Sequence, residues 1–394
     1  MAVAGAGAFG RNHLRVYREL ERAGAGVELA ACVEPDAGRA AAAEAQYGIP
    51  VFASVEAMLH ADARVDAATV AVPTVHHHAV ASAMLDAGLD VLVEKPIAAT
   101  LAEADDLVAH AERAGRVVQV GHLERFNPAI LAVQPRLKRP MFFEAHRLSV
   151  FTPRSLDVDV VLDLMIHDLD IVLTFAASPV REVRAVGLPI VSPKVDIANV
   201  RVEFESGCVA NFTASRVSTE RVRKLRFFEP RQYVSIDYAR RDVVVIRIDD
   251  TAAAQVPAQV AAAAAEFLTT GKLDLKLAQQ LLAGGQIPAP LLAQFMAAQG
   301  DKEKIKALAQ TLAGPAVETS PGPAPGLSFV NPEVTPGEPL RLEIEAFLDC
   351  VRTRRQPRVT ARQGRDALAL ALTIQDTMAA HAHRAGLGDF FEGS

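Results

Sequence analysis

Val91-Leu92-Val93-Glu94-Lys95-Pro96 is the stretch from which the fold is read. Three apolar residues read as the end of a buried strand. A charged pair follows at once, and a proline then ends the strand. In an open α/β sheet, a lysine at the carboxyl end of a strand stands where such folds bind their ligands. Outward from here the chain alternates. Upstream, the strand Ala67–Val72 stops at Pro73-Thr74. A helix carrying Val80, Met84 and Leu85 follows and closes at Gly88. Downstream, a helix over 101–114 closes at Gly115, and Val117–Val120 form the next strand. Residues 1–125 therefore predict a parallel, doubly wound sheet.

The chain opens Met-Ala-Val-Ala-Gly-Ala-Gly-Ala-Phe-Gly. Gly5, Gly7 and Gly10 make a G-x-G-x-x-G between a short apolar strand and a helical run. The first glycine permits the turn, the second lets backbone approach a pyrophosphate, and the third lets helix and strand pack closely. Taken alone the motif is weak, since a plain glycine turn matches it as well. Only Met1 to Ala4 precede it, so the first strand is short and a trimmed amino terminus is one expectation. A second strand, Val27–Val33, ends at Glu34. A carboxylate there accepts from both ribose hydroxyls of NAD and repels the extra phosphate of NADP, a preference that Arg39 softens. His76, His77 and His78 are adjacent; neighbouring side chains diverge, which argues against one metal site.

Asp163-Leu164-Met165-Ile166-His167-Asp168 lies in a run of helical periodicity from Val160 to Leu173. Asp163 and His167 are four apart and share a face. The bland alternative is the polar face of a surface helix. From Glu182 the period becomes two: Ile197–Phe204, Cys208–Thr213, Val222–Phe228, Tyr233–Tyr238 and Val243–Ile248 read as an antiparallel meander. Arg216, Arg221, Arg223, Lys224 and Arg226 make a basic stretch within it; one expectation is that some of them bind a substrate phosphate, while most read as a solvated or subunit-facing strand face. Residues 251–312 are rich in alanine and leucine, and 315–339 are rich in proline. We read 251–338 as a helical, Pro-rich insertion. Closing helices start at Leu340.

The 394 residues allow two sizeable cores. A net charge of −6 and a pI near 6.0 argue against nucleic-acid binding. Mean hydropathy is +0.17, and no apolar run is long enough to span a membrane. Cys32, Cys208 and Cys350 are far apart, without metal spacing, which points to a reduced cytoplasm.

The glycine loop, Pro73-Thr74 with His77, Glu94-Lys95-Pro96, and Asp163 with His167 occur in an order that resembles the glucose–fructose oxidoreductase / inositol dehydrogenase (Gfo/Idh/MocA) family. The resemblance covers most of 1–250 and about 340–378. It implies an NAD-binding Rossmann domain, 1–125. It also implies a second α+β domain, 126–394, with an open, mostly antiparallel sheet through which the chain forms a homodimer or homotetramer. It places Gly5, Gly7, Ala8, Phe9, Gly10, Glu34, Pro73, Thr74, His77, Glu94 and Lys95 at the cofactor. Lys95, His167 and Asp163 fall in catalysis, and no metal is implied. Gly121–Pro128 with Arg154 look most like members that oxidise UDP-N-acetyl-hexosamines at the 3-hydroxyl, which makes Arg125, Asn127 and Arg154 substrate candidates. Oxidising an alcohol by hydride transfer requires a base; His167, or Lys95 beside the same oxygen, suits it, with Asp163 positioning substrate or His167. The alternatives are a free-sugar or polyol dehydrogenase and a non-catalytic nucleotide sensor, which would need none of these three residues.

Overall fold

The computed structural model describes residues 1–61, 63–152, 158–248, 319–321 and 327–387, with backbone alone at 319–321 and 327. The chain divides into two compact units: Met1–Arg226 with Ile236–Asp242 and Val334–Ser394, and Phe227–Ser235 with Val243–Glu333. The expected boundary at residue 125 lies inside the first unit. Most of the 251–338 insertion lies outside the described residues.

In the first unit, β1 (Ala2–Ala4), β2 (Ala31–Val33), β3 (Val51–Phe52), β4 (Ala67–Val70), β5 (Asp90–Glu94) and β6 (Val118–Gly121) form a sheet in the order β3-β2-β1-β4-β5-β6. Every neighbouring pair is parallel. The strands are predominantly apolar because both faces are buried. Ala2, Ala4, Val91 and Val93 enter one core cluster, and Met1, Val3 and Leu92 the other. The connecting helices are α1 (Gly10–Arg22), α2 (Ala37–Tyr47), α3 (Val55–His60), α4 (His77–Asp86) and α5 (Leu101–Ala114). α5 starts at a capping box, Thr100 with Glu103, and ends at left-handed Gly115. Two readings change. The second strand is three residues, not seven. The edge strand β3 has no counterpart in the sequence reading, because two residues cannot show a period.

The strand order reverses between β1 and β4, the point at which open α/β sheets bind ligands beyond the carboxyl ends of their strands. Gly5 and Gly10 make this corner. Gly5 sits at φ +96°, and a Cβ on it would lie 2.5 Å from the Ala71 carbonyl oxygen. A Cβ on Gly10 would lie 1.9 Å from the Gly5 carbonyl oxygen.

The first unit also carries part of a second sheet. α6 (Pro128–Val133) leads into β7 (Phe142–Val150), and β8 (Val180–Leu188), β9 (Ile197–Phe204) and β10 (Val209–Ser218) follow. β8–β9 and β9–β10 are antiparallel, while β7–β10 is parallel. Along β9, Ala198, Val200, Val202 and Phe204 are buried and Asn199 and Arg201 exposed, the expected period of two. β11 (Val222–Glu229) and β12 (Gln232–Asp237) each run across the division between units. In the second unit, β13 (Asp242–Ile248) pairs antiparallel with β15 (Leu327–Val330), and β15 with β14 (Thr319–Pro321).

Residues 160–173 do not form one regular helix. Val161–Met165 is a wider π turn, and α7 (Ile166–Ala176) continues from it. Asp159 caps the start, accepting from the N–H groups of Val161 and Leu162 at 2.8 and 3.0 Å. Closing helices α8 (Pro339–Thr353) and α9 (Ala361–Arg384) return to the parallel sheet. Ile344 and Phe347 enter its core, and the Val120 N–H donates to the Val359 carbonyl at 3.0 Å.

Gly10→Ala is expected to lower folding stability by about 1–3 kcal/mol, the usual cost of overpacking a site that cannot yield. A urea midpoint equal to that of the wild type would show that the corner can open.

Candidate active site

The cofactor loop is asymmetric in a useful way. Gly5 and Gly10 are pressed against backbone, but a Cβ on Gly7 would meet nothing within 4 Å. Ala8 and Phe9 are exposed beside it. That open approach to backbone, ahead of the amino terminus of α1, suits a pyrophosphate. Glu34 follows β2 directly and is 4% exposed. Its carboxylate accepts from the N–H of Ala6 at 2.8 Å, the N–H of Asp36 at 3.0 Å and Arg39 Nη2 at 2.9 Å. Burial alone raises this carboxyl, but those donors outweigh it and hold it below its ordinary value. The ionised acid is therefore tied to the glycine loop. The residues present fit a dinucleotide.

Pro73 and Thr74 follow the carboxyl end of β4, and Pro73 is exposed. His77 lies deeper, 1% exposed. Its Nδ1 is 2.8 Å from the Pro96 carbonyl and its Nε2 2.9 Å from the Val72 carbonyl. It ties the end of β4 to the turn after β5. Burial lowers its pKa, and the two carbonyls act against that. The other two histidines diverge; His78 reaches Asp106 at 2.7 Å. Glu94 is also buried, and its Oε1 meets His13 Nε2 at 2.8 Å. A Cβ on Gly121 would lie 2.9 Å from the Glu94 carboxylate, so Gly121 makes room for it. His77 and Glu94 are thus positioned to brace the turn that presents Lys95.

Lys95 Nζ donates to the Asp163 carbonyl oxygen at 2.8 Å and approaches the Leu162 carbonyl at 3.4 Å. Both carbonyls belong to the π turn. Burial lowers the Lys95 pKa from its usual 10.5, partly offset by the charges of Asp163 and Glu94. The two stretches singled out in the sequence therefore meet, through backbone as well as side chain.

His167 sits in the first turn of α7. Burial, and then the charges of Lys95 and Arg147, hold its pKa well below 6.5. Its ring stands edge-on to that of His122, with centroids 6.5 Å apart. His122 directly follows β6 and is 1% exposed, and neither ring nitrogen has a partner among the described residues. Burial lowers it too. The sequence reading assigned His122 no role, although its place at a strand's carboxyl end could have marked it.

The neighbours of His167 on α7 serve structure. Asp168 takes a two-point contact from Arg147 of β7, Nε to Oδ2 at 2.7 Å and Nη2 to Oδ1 at 2.9 Å. Arg147 also reaches Glu124 at 3.0 Å and lies over the Tyr238 ring, 5.1 Å from its centroid. Arg125, a substrate candidate in the sequence, is 3% exposed. It bonds Thr174, the Arg358 carbonyl at 2.8 Å and Asp170 at 3.4 Å. Asn127 is spent in the same way, donating to Glu124 at 3.0 Å and to the Tyr238 carbonyl at 3.2 Å while accepting from the Ala129 N–H at 3.1 Å. The structure does not bring either to the open side. Arg154 lies outside the described residues. Glu343 of α8 is fully buried with neither oxygen partnered among the described residues, and burial pushes its carboxyl well above 4.5. Among the described residues no helix is long and apolar enough to cross a membrane.

Residues 1–122 match the model of the oxidoreductase family with an NAD-binding Rossmann fold (Gfo/Idh/MocA). Residues 130–232 match that family's C-terminal domain. The UDP-N-acetylglucosamine 3-dehydrogenase of Acidithiobacillus ferrooxidans is 40% identical over 237 residues, 60% of this chain and 73% of that protein. Its solved structure superposes with a TM-score of 0.73 at 28% identity, covering 96% of this chain and 97% of that one. Inositol 2-dehydrogenase 1 of Saccharopolyspora erythraea is 33% identical over 46% of this chain and 55% of its own length. The chain belongs to the Gfo/Idh/MocA family of oxidoreductases.

The buried histidines carry a pH dependence. His77, His122 and His167 all have folded pKa values below 6.5. As pH falls through 6.5 the unfolded chain takes up protons that the folded chain refuses, so stability is lost on the acid side. Each contributes up to about 1.4 kcal/mol per pH unit. Glu343 acts oppositely, its contribution fading as pH rises above 4.5. Urea unfolding from pH 7 to pH 5 is expected to show falling stability, less steep in His122→Gln. Equal slopes would mean that His122 is charged in the folded protein.

Proposed function

We propose that this family member is an NAD-dependent dehydrogenase that oxidises a secondary hydroxyl of a sugar, the 3-hydroxyl of UDP-N-acetylglucosamine. The observation that carries the reading is the position of Lys95. Its Nζ, presented at the carboxyl end of β5, is fixed 2.8 Å from the carbonyl oxygen of Asp163, which lies four residues along the chain from His167. A nucleotide sensor has no use for a buried lysine joined to a histidine-bearing turn. The relatives at 40% and 33% identity favour a sugar or polyol hydroxyl, and the first of them favours the nucleotide sugar.

The bound dinucleotide supplies the hydride acceptor. Everything else falls to side chains. The glycine loop, with Gly5, Gly7 and Gly10, receives the pyrophosphate, and Glu34 receives the ribose hydroxyls in place of its present donors. Ala8, Phe9, Pro73 and Thr74 flank the cofactor, while Glu94 and His77 brace it from behind. The substrate hydroxyl lies between Lys95 and His167. As the C–H bond gives up its hydride, the O–H proton passes to a base. His167 is uncharged at neutral pH because burial and the cations around it oppose protonation, so its ring can accept. Lys95 polarises the same oxygen, and its lowered pKa fits it to share the proton. Asp163 offsets part of the burial cost of Lys95, and we assign it to positioning. Arg154 remains a proposed substrate ligand. We place the enzyme in the cytoplasm, as a homodimer or homotetramer formed through the open face of the second sheet.

Reduced-nicotinamide formation should appear with NAD and UDP-N-acetylglucosamine. Lys95→Ala should lower turnover by about 10²–10⁴ with the fold intact. Near-normal turnover in that variant would sink the assignment, and a signal with inositols alone would move the substrate to free polyols. Glu34→Ala should raise the KM for NAD by about tenfold and narrow the gap to NADP. An unchanged cofactor preference would mean that another group reads the ribose.

A further inference from the structure

The basic stretch at the end of β10 and along β11 is not uniform once folded. Arg216 lies 3.6 Å from Asp196 and donates to the Val158 carbonyl. Arg226 pairs with Glu144 at 2.9 Å. Arg221 is exposed, and Lys224, next in β11 after Arg223, projects to the opposite face of the strand. Arg223 is different. It is half-buried, its Nε is shut off from solvent, and that atom has no hydrogen-bond partner among the described residues.

Its place in the first unit is defined by backbone and packing. The Tyr238 N–H donates to the Arg223 carbonyl at 3.0 Å, and the Tyr238 ring stacks under Arg147. Arg147 in turn holds Asp168, the residue after His167. The charged groups that act on Arg223 are Arg147, Glu124, Arg221 and Asp168. Both carboxylates are already committed to Arg147, at 3.0 Å and at 2.7 and 2.9 Å. Among the described residues Arg223 is thus a cation with no anion of its own. Burial first, and then the charge of Arg147, reduce its hold on its proton, and its own charge in turn helps hold His167 neutral. A guanidinium in this state loses hydration without gaining a partner, which is unfavourable unless a ligand supplies the anion. Its planar fork of donors matches phosphate and carboxylate alike.

We propose that Arg223 binds an oxyanion of the substrate, the phosphate joined to the sugar whose hydroxyl faces His167. This rests on the sugar-dehydrogenase reading above and narrows it to substrates that carry phosphate near the reacting ring. The basic stretch, read in the sequence as mostly a strand face, thereby yields one member to the site.

The test uses the full chain saturated with NAD, so that the glycine loop is filled. Binding of uridine diphosphate and of UDP-N-acetylglucosamine is measured by calorimetry in wild type, Arg223→Ala and Arg223→Lys. Arg223→Ala should weaken both ligands by about tenfold to a hundredfold. Arg223→Lys should recover part of the loss, and NAD affinity should hold. The unliganded melting temperature of Arg223→Ala should stay level or rise, since an unpaired buried charge is removed; a structural arginine would lower it. Wild-type affinity in Arg223→Ala, or no binding of uridine diphosphate by the wild type, overturns the proposal. Glucuronic acid competing in an Arg223-dependent way, with no effect on uridine diphosphate, overturns the phosphate in favour of a sugar carboxylate. Turnover of neutral sugars alone would sink the proposed substrate. Loss of uridine diphosphate binding in Arg223→Ala would still uphold the anion site.

Discussion

A buried ammonium cannot stand alone, and the organisation around Lys95 follows from that. Desolvation opposes its charge, and the nearest relief comes from two backbone carbonyls rather than from a carboxylate in direct contact. Both carbonyls lie in the π turn at Val161–Met165. One hydrogen bond of 2.8 Å thereby fixes the lysine and couples the end of the parallel sheet to the segment that carries His167. Asp159 holds the start of that turn, and Gln375 of α9 holds Asp159. The chain's last long helix thus supports the same few residues.

Around this point charge is arranged in layers. Glu94 and His13 form a buried pair behind Lys95, in the space that Gly121 leaves. Arg147, Asp168 and Glu124 form a second group beside His167, and Arg125 with Asp170 a third. Breaking one partner out of such a group leaves an uncompensated buried charge, which costs several kcal/mol. These arginines are held by their own carboxylates and are not free for a ligand. Among the described residues Arg223 stands in the same neighbourhood without such a carboxylate, and the difference between Arg223 and Arg125 lies in partners, not in residue type.

Much of this molecule was legible in the sequence. Apolar runs closed by Gly and Pro marked the β-α alternation, because a strand buried on both faces must be apolar throughout. The period of two marked β9 and β10, because their faces differ. Gly5, Gly7 and Gly10 marked the corner, because no other residue tolerates those approaches. Lys95, Asp163 and His167 stood out through their positions at a strand end and along one helical run. The two-residue strand β3 left no trace, and the π turn left none either, since winding depends on who takes the carbonyls. His122 was passed over, and Arg125 and Asn127 were read as substrate contacts when their hydrogen bonds are made inside the protein.

The sequence by itself determined most of the longer strands and helices, where the nucleotide-binding corner lies, and which residue types are present for proton transfer. Those are local properties, set by side-chain volume, backbone freedom and periodicity over a few positions. Only the tertiary structure decided which charges are already paired. Arg125 finds Asp170 across 45 residues and the Arg358 carbonyl across 233, and Lys95 finds the Asp163 carbonyl across 68. Pairing at that separation depends on how the chain closes on itself, and a cation's availability for a ligand is what remains when such pairings are complete.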